Sequence, residues 1–261
     1  MSTTLAALPD PCETGATTDG LDAIGAALSL PIQGFDDLSS LPTALGVCLN
    51  AGNHLDGTDI LVVRRSDAEN DVVLPVDTVS GRVYLQSTPS ELMVGRGGST
   101  AVATFTLLRK DAATPAELRR YVERIYFVSP CNVPNTGTVC DAAADNGRPI
   151  PTLKRLDIGV SGFTVTPLVE GIENLQLEYG IDSTNDGAPD RYENDPSLAE
   201  WRDVVAVRVG LLSRATEPTA GHVDDRSYVL GDTTIDAPGD AYKRQAYSVA
   251  VRAVNQSGRR E

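Results

Sequence analysis

The sequence predicts an α+β fold that is rich in β-structure and built from antiparallel sheets. From Thr58 onward, short apolar segments follow one another, separated by Asp, Gly and Pro, which is the pattern of antiparallel strands joined by turns. Residues 201–214 and 246–255 alternate apolar and polar positions, so that one face of each predicted strand is apolar. The chain has 261 residues with 23 Gly and 16 Pro, enough for one large or two small domains with many turns.

The first 57 residues are predicted to be loop-rich and to belong to the same domain as the β-rich residues 58–261. One short helix is expected in this region, at residues 20–30, where the sequence reads GLDAIGAALSL. No internal repeat of fixed period is present, which disfavours a propeller or a solenoid.

The strands are predicted where short apolar runs stand between turn residues. These segments are residues 58–65, 71–76, 81–87, 90–95, 101–110, 121–129, 154–160, 162–168, 175–181, 201–214 and 246–255. In the last two, Val207 and Val209 share one face, and Tyr247, Val249 and Val251 share another. We expect both of these segments to be central strands of the core.

The balance of charge limits the classes of partner. The formal net charge is −14, and the basic runs are too short for a phosphate-binding surface, so nucleic acid is not expected as a partner. No apolar run approaches the ~20 residues of a membrane helix. The N-terminal residues have neither the basic nor the apolar part of a signal peptide. An acidic surface suits a secreted protein and a divalent cation.

Four cysteines, Cys12, Cys48, Cys131 and Cys140, allow three disulfide connectivities. Cys131 and Cys140 flank the turn-rich stretch NVPNTGTV, which favours a bond between them and leaves Cys12 to pair with Cys48. Two such bonds indicate an oxidising compartment, the periplasm or the cell surface. The alternative is four buried free thiols. A zinc site is not expected, because no C-x-x-C motif is present and the chain has only two histidines.

The segment Asp182–Glu193, DSTNDGAPDRYE, has the spacing of a twelve-residue calcium loop. Gly187 stands at position 6, where such a loop turns sharply. Ca²⁺ takes six to eight oxygen ligands, and the segment offers carboxylates, a hydroxyl and a backbone carbonyl at the required positions. The predicted ligands are Asp182, Thr184, Asp186, the carbonyl of Ala188, Asp190 and Glu193.

The surroundings of this segment favour a single structural calcium site over a paired sensor. The preceding residues LQLEYGI alternate as a strand does, no second copy occurs, and Pro189 lacks the N–H that pairing with another loop requires. The alternative interpretation is an acidic surface loop of Asp, Asn and Gly turn residues.

We do not expect this protein to be an enzyme. His54 and His222 lie near aspartates in the sequence, but no G-x-S-x-G motif accompanies them. A catalytic triad is recognised by geometry, which the sequence does not show. The alternative functions are a calcium-dependent extracellular binding module or adhesin and, less favoured, a secreted hydrolase.

Five segments point to one family. They are GTDILVVRR, RRYVERIYFVSPC, VEGIENLQLEYGIDSTNDGAPDRY, WRDVVAVRVGLLSR and KRQAYSVAVRAVNQSGRR. In sequence and in order they resemble the PilW family of type IV pilus minor pilins, which is related to the J-type minor pseudopilin of type II secretion. The resemblance extends from Thr58 to the C-terminus. Its most specific part is VEGIENLQLEYG followed at once by the Asp- and Gly-rich loop.

The resemblance implies the globular head of a pilin, which packs against a long apolar helix. That N-terminal helix and its membrane anchor are expected to be absent from this chain. The implied role is structural: such proteins join other minor pilins, prime pilus assembly and sit at the pilus tip with an adhesin. The implied location is the periplasm and cell surface, with anchoring in the inner membrane before assembly.

Overall fold

The computed structural model describes residues 7–68, 74–135, 139–160 and 162–254. These residues form two compact units, each assembled from three stretches of the chain. The first unit consists of the chain up to Pro31, of Val62–Arg124 and of Leu156–Thr164. The second consists of Ile32–Leu61, of Ile125–Arg155 and of the chain from Val165 onward. The predicted α+β fold with antiparallel sheets is confirmed.

Strands make up most of the regular structure, and the helices are short. The helices are α1 Thr18–Ala27, α2 Thr43–Gly46, α3 Ala101–Thr104 and α4 Ala144–Gly147, and 3-10 turns lie at Ala51–Asn53, Pro75–Asp77 and Glu200–Asp203. The strands are β1 Ile32–Leu38, β2 Thr58–Ser66, β3 Val83–Ser87, β4 Leu92–Arg96, β5 Leu118–Ser129, β6 Thr152–Gly159, β7 Gly162–Glu170, β8 Ile172–Ile181, β9 Arg191–Glu193, β10 Val204–Arg214, β11 Tyr228–Leu230, β12 Thr233–Ile235 and β13 Arg244–Arg252. None of the described helices is long and apolar enough to cross a membrane.

Helix α1, in the first unit, corresponds to the predicted N-terminal helix. It begins after Thr17, whose side-chain oxygen accepts a hydrogen bond from the Gly20 N–H at 3.1 Å and satisfies a free donor of the first turn. The helix ends at Ala27, three residues before the predicted end at Leu30. Pro31 contributes to this early end, because a proline disfavours the helical conformation of the residue before it.

In the first unit, β3 lies between β4 and the first part of β5, and both pairings are antiparallel. The buried Gln86 of β3 joins this sheet to the segment that follows α3. Its side-chain amide donates to the Ala116 carbonyl at 3.0 Å and accepts from the Leu107 N–H at 3.0 Å. The side chain of Gln86 is thus buried with its polar atoms satisfied, as burial requires.

The predicted strand at residues 101–110 is wrong. Residues 101–104 form helix α3, and Leu108 makes only an isolated bridge with Pro115. Ala101 and Phe105 are both buried and lie four residues apart, which places them on one face of a helical turn. A short apolar run fits a strand and a helix equally well, so periodicity alone did not separate them.

The predicted strand at residues 71–76 falls partly outside the described residues, which resume at Leu74. The described end of this segment is occupied by the 3-10 turn Pro75–Asp77. Proline at the first position suits such a turn, because its missing N–H has no partner there in any case.

The second unit contains a four-stranded antiparallel sheet in the order β13-β10-β8-β9. β10 is central, with β8 on one side and β13 on the other, which confirms its prediction as a core strand. Tyr179 of β8 packs edge-on against Trp201 with 4.6 Å between the ring centroids, and both side chains are buried. Trp201 lies in the 3-10 turn that leads directly into β10.

The prediction that residues 246–255 form a central strand is wrong. β13 lies at the edge of the sheet and pairs only with β10 within the described part of the chain, which ends at Val254. Every residue of β13 after Arg244 is exposed, and Tyr247, Val249 and Val251 are exposed by 51%, 56% and 54%. Alternation identifies the side chains that share a face, but it does not say whether another layer covers that face.

The start of β13 is held by buried ion pairs, and at its other end the Arg252 side chain donates to the Gly187 carbonyl at 3.3 Å. The Arg244 side chain is only 3% exposed and forms ion pairs with Glu173, Asp224 and Asp240. On the same side of the sheet, the hairpin of β11 and β12 covers β10 through an apolar cluster. The members of this cluster are Leu212, Tyr228, Leu230 and Ile235.

The predicted disulfide framework is confirmed. Cys131 and Cys140 are bonded, with 5.6 Å between their Cα atoms. Cys12 and Cys48, the other predicted pair, are disulfide-bonded as well, so no described cysteine is free. Four oxidised cysteines agree with an oxidising compartment.

Candidate functional site

The predicted calcium segment forms the loop of the β8–β9 hairpin. β8 ends at Ile181, β9 begins at Arg191, and the two strands pair antiparallel. The Asp190 N–H donates to the Ile181 carbonyl at 2.8 Å and closes the loop. Within it, Asn185 and Gly187 have φ values of 61° and 82°, a region that Asn and Gly enter at the lowest cost.

Asp182 lies under this loop with its side chain completely buried. Its two carboxylate oxygens accept hydrogen bonds from the backbone N–H groups of Asp186 at 3.2 Å and Gly187 at 3.0 Å. Its own N–H donates to the carbonyl of Asp203, just before β10, at 2.8 Å. Asp182 therefore holds the turn by satisfying N–H groups that burial would otherwise leave without partners.

Asp190 holds the other side of the loop. Its Oδ2 atom accepts hydrogen bonds from the Ser183 hydroxyl at 2.7 Å, the Ser183 N–H at 2.7 Å and the Thr184 N–H at 3.0 Å. The Thr184 hydroxyl lies 3.4 Å from Oδ1 of the same carboxylate. These hydrogen bonds, that of the Ser183 hydroxyl first, lower the pKa of Asp190 and keep it ionised at neutral pH.

The other predicted ligands have separate partners. Asp186 accepts a hydrogen bond from the Ala188 N–H at 2.9 Å, and Glu193 forms an ion pair with Arg191 at 3.1 Å. Among the described residues, no group of three or more His, Cys, Asp or Glu side chains is arranged to hold a metal ion. In this conformation the segment is a hydrogen-bonded acidic turn, and the calcium site stays a prediction.

A buried aspartate that the sequence analysis did not single out lies against the edge of β8. Asp59, near the start of β2, accepts hydrogen bonds from the N–H groups of Leu177 at 2.7 Å and Asp37 at 2.8 Å. The short β9 pairs only with the end of β8, so Asp59 caps the edge of β8 where β9 does not reach. Burial raises the pKa of Asp59 to about 7. The available signal was an acidic residue inside the apolar run TDILVV.

A second acidic side chain, that of Asp36, lies near Asp59. The Asn194 side-chain amide bridges Asp36 and Asp232, with donor–acceptor distances of 3.3 Å and 2.9 Å. Burial, and then the neighbouring carboxylates, raise the pKa of Asp36 to about 6. Asp36 and Asp59 are therefore carboxyl groups that bind protons near neutral pH.

One face of the four-stranded sheet is apolar across β8, β10 and β13 and becomes more exposed from β8 to β13. Directly opposed residues share a face, which gives three apolar rows across the sheet. The rows are Leu175–Leu211–Tyr247, Leu177–Val209–Val249 and Tyr179–Val207–Val251. Their β8 members are buried, the β10 members are buried or half-buried, and the β13 members are exposed.

We call the uncovered part of this surface the open face. It consists of Val209, Leu211, Tyr247, Val249 and Val251. Isolated apolar residues rather than connected rows are normal on soluble proteins, so the open face is a candidate surface for contact with another molecule.

The histidines form no triad within the described structure. His54 is buried, and its Nε2 atom lies 3.1 Å from the Thr58 carbonyl oxygen and 3.3 Å from the Thr58 hydroxyl. Burial lowers the pKa of His54. This is the environment of a structural histidine. His222 lies in a turn, where its backbone N–H donates to the Thr219 carbonyl.

Residues 139–255, a little under half of the chain, match the family model of the type IV pilus-assembly protein W, PilW. The resemblance seen in the sequence is confirmed over this range, which contains the acidic loop and the four-stranded sheet. Among solved structures, the chain is similar to a type IV-like pilin from Thermus thermophilus, at 13% identity over 68% of this chain and 85% of that chain, with a TM-score of 0.27. No match was found among the curated proteins.

Proposed function

We propose that this chain is the globular head of a type IV pilus minor pilin and that its open face binds a long apolar helix of the pilin type. The PilW match over residues 139–255 supports the pilus-related role. A family of this kind implies a location in the envelope or the pilus and a structural rather than enzymatic role. The observation that carries the helix-binding proposal is the exposure of Tyr247, Val249 and Val251 on an apolar face whose β8 residues are buried.

The dimensions of the open face suit a single helix. An α-helix with its side chains is about 10 Å wide, and neighbouring strands lie about 4.8 Å apart, so one helix laid on the sheet covers β10 and β13 together. A sheet stabilises its apolar face by burying it against another layer, and a helix is the commonest such layer in α+β folds. Burial of apolar surface contributes about 25 cal/mol per Å².

We propose that the partners in the assembled state are other minor pilins and the adhesin at the pilus tip, and that the head acts in priming assembly. The support for these partners is the family resemblance. Dependence on these partners distinguishes the proposed function from that of an independent secreted binding protein, whose activity would not depend on pilus subunits.

The proposed function is tested by counting surface pili in cells that lack this protein and are complemented with variants. Val249→Asp places a charge on the open face, and Val229→Asp places one on β11, where Val229 is 65% exposed and outside that face. We expect the wild type and Val229→Asp to restore pili and Val249→Asp to fail while remaining folded. Normal piliation without the protein, or full restoration by Val249→Asp, would contradict the proposal.

We further propose that the acidic loop binds Ca²⁺ as a structural ion. The support is the ligand spacing of Asp182, Asp186 and Asp190 and the exposure of the last two. Binding at a hundredfold excess over Kd would add about 2.7 kcal/mol to the unfolding free energy. The test is thermal unfolding of the wild type and of Asp186→Ala, each in excess calcium and in chelator. A calcium-dependent rise that the variant lacks supports the site, and equal midpoints in the wild type refute it.

A further inference from the structure

The two edges of the four-stranded sheet are protected very differently. β9 has three residues, with Arg191 and Glu193 at its ends, and Asp59 caps the part of β8 beyond it. β13 has nine residues in an unbroken register with β10, and no charge or proline occurs from Gln245 to Val251. Soluble proteins avoid long, uncharged edges, because unpaired N–H and C=O groups are a template for another strand.

Two hydrogen bonds show which backbone groups of β13 are unpaired. The Ala253 N–H donates to the Val205 carbonyl at 2.7 Å, and the Lys243 carbonyl accepts from the Ala215 N–H at 2.9 Å. Hydrogen-bonded pairs occur at every second residue of an antiparallel ladder, so the odd-numbered residues of β13 face β10. The groups in the middle of β13 that point away from β10 are those of Ala246, Ser248 and Ala250.

We propose that β13 pairs antiparallel with β13 of a second copy of this chain, about a two-fold axis that passes through Ser248. Ser248 is the midpoint of the strand, so this register overlaps all nine residues. It is also one of the outward-pointing residues, so the central pair is hydrogen-bonded. Ala246 then lies opposite Ala250 of the second copy, and these small side chains do not obstruct the approach of the two backbones.

The register places two arginines opposite each other at each end, and both have partners within their own chain. Arg252 of one copy lies opposite Arg244 of the other, whose guanidinium is enclosed by the carboxylates of Glu173, Asp224 and Asp240. The Arg252 side chain donates to the Gly187 carbonyl of its own copy at 3.3 Å, so neither guanidinium lacks a partner in this register.

The proposed pairing also extends the apolar rows. Tyr247, Val249 and Val251 lie on the same side of β13, so the open faces of the two copies become one continuous surface. Because the contact is a single strand edge, we expect weaker association than in a standard interface of about 800 Å² per partner. The proposal concerns the edge of the sheet and is independent of the pilin assignment.

The register is tested with single-cysteine variants of the full chain, in which no described cysteine is otherwise free. In Ser248→Cys the two Cα atoms related by the axis would lie about 5.5 Å apart, which a disulfide spans. In the matched control Ala246→Cys they would lie about 14 Å apart, which is too far for a disulfide.

Mild oxidation is expected to give a covalent dimer of Ser248→Cys on a non-reducing gel and none of Ala246→Cys. A mixture of Ala246→Cys with Ala250→Cys is expected to give a dimer that contains one of each. Equal dimer yields from Ser248→Cys and Ala246→Cys would overturn the register, and the absence of a Ser248→Cys dimer would overturn the proposal.

Sedimentation equilibrium provides a test without a cross-link. Ser248→Pro removes an N–H that points away from β10 and leaves the ladder with β10 intact, so at concentrations where the wild type is monomeric the variant is expected to have the same melting temperature. We expect its dimer dissociation constant to rise at least about tenfold, since the hydrogen bonds at the axis are lost. Val229→Lys is the control and should dimerise as the wild type does. A wild type that stays monomeric at the highest soluble concentration overturns the proposal.

Discussion

The two strands that flank β10, β8 and β13, have similar sequence patterns and opposite surroundings. In β8, Leu177 and Tyr179 are buried because β1 packs against them, closely enough that Gly34 has no room for a side chain beside Tyr179. In β13, Val249 and Tyr247 belong to the same apolar face but are exposed. Both strands pair with β10, so the difference lies in the next layer. An apolar row in a strand therefore does not reveal whether a layer of the same chain covers it, and the exposed residues of β13 are the basis of the proposed contact with a helix.

The largest expected difference in unfolding free energy is between the same substitution in β8 and in β13. Tyr179→Ala removes a buried ring that packs against Trp201, and we expect it to lower the unfolding free energy by about 4 kcal/mol. Tyr247→Ala removes a half-exposed ring, and we expect a loss below about 1 kcal/mol. Urea unfolding measures both. Similar losses in the two variants would show that β13 is covered in the isolated chain.

The two arginines at the ends of β13 give the next largest difference. Arg244→Ala leaves the carboxylates of Glu173 and Asp240 without their buried cation, and we expect a loss of about 3 kcal/mol. Arg252 is exposed and donates a hydrogen bond to the Gly187 carbonyl at 3.3 Å, so Arg252→Ala is expected to change stability by less than about 1 kcal/mol. If Arg252→Ala proved as destabilising as Arg244→Ala, the two ends of β13 would be anchored equally strongly.

The covered end of the sheet also gives the protein a pH dependence. Burial raises the pKa of Asp59 to about 7 and that of Asp36 to about 6, and it raises the pKa of Glu123 in the first unit to about 7. Unfolded carboxyl groups titrate near 4, so between these values the folded chain binds protons that the unfolded chain does not. These three groups should therefore increase the unfolding free energy as the pH falls from about 8 to about 5. His54 opposes them in part, because burial lowers its pKa and the unfolded chain binds that proton first.

Asp59→Asn separates the contribution of this group, because the amide does not titrate. We expect a smaller rise of the unfolding free energy over the same pH range than in the wild type. An unchanged pH profile would mean that Asp59 is ionised in the folded protein despite its burial.

The smallest expected effect concerns the loop at the β8–β9 end. In chelator, Asp182→Ala leaves the N–H groups of Asp186 and Gly187 without their acceptor, and we expect a loss of about 1–2 kcal/mol. Asp186→Ala changes an exposed side chain and should alter stability by no more than about 0.5 kcal/mol. Both are measured by thermal unfolding. A greater loss in Asp186→Ala would point to a role that the hydrogen bonds do not provide.

The sequence predicted most strands and both disulfides because each has a local signal. β2, β3 and β6 are short apolar runs between turn residues, and Cys131 and Cys140 enclose a turn-rich stretch. The errors arose where the deciding interaction is distant. Residues 101–110 alternate as a strand does, but the segment begins with a helical turn that buries Phe105. Whether another layer covers β8 or β13 cannot be read from the sequence of either strand.

The candidate site was located in the sequence, but its chemistry was not. Clustered aspartates at this spacing can bind a calcium ion, and they can also accept hydrogen bonds from the N–H groups of a tight turn. In this structure Asp182 and Asp190 accept such hydrogen bonds. Asp59 was missed because its partner, the Leu177 N–H, is distant in sequence.

The most direct test of the open face is site-specific photo-cross-linking in cells that assemble pili. A photoreactive phenylalanine analogue replaces Val249 on the open face or Val229 outside it, both of which are exposed. We expect a covalent adduct from position 249 with the apolar helix of a pilin-type subunit and no such adduct from position 229. The absence of a pilin adduct at position 249, or equal adducts at both positions, would contradict it.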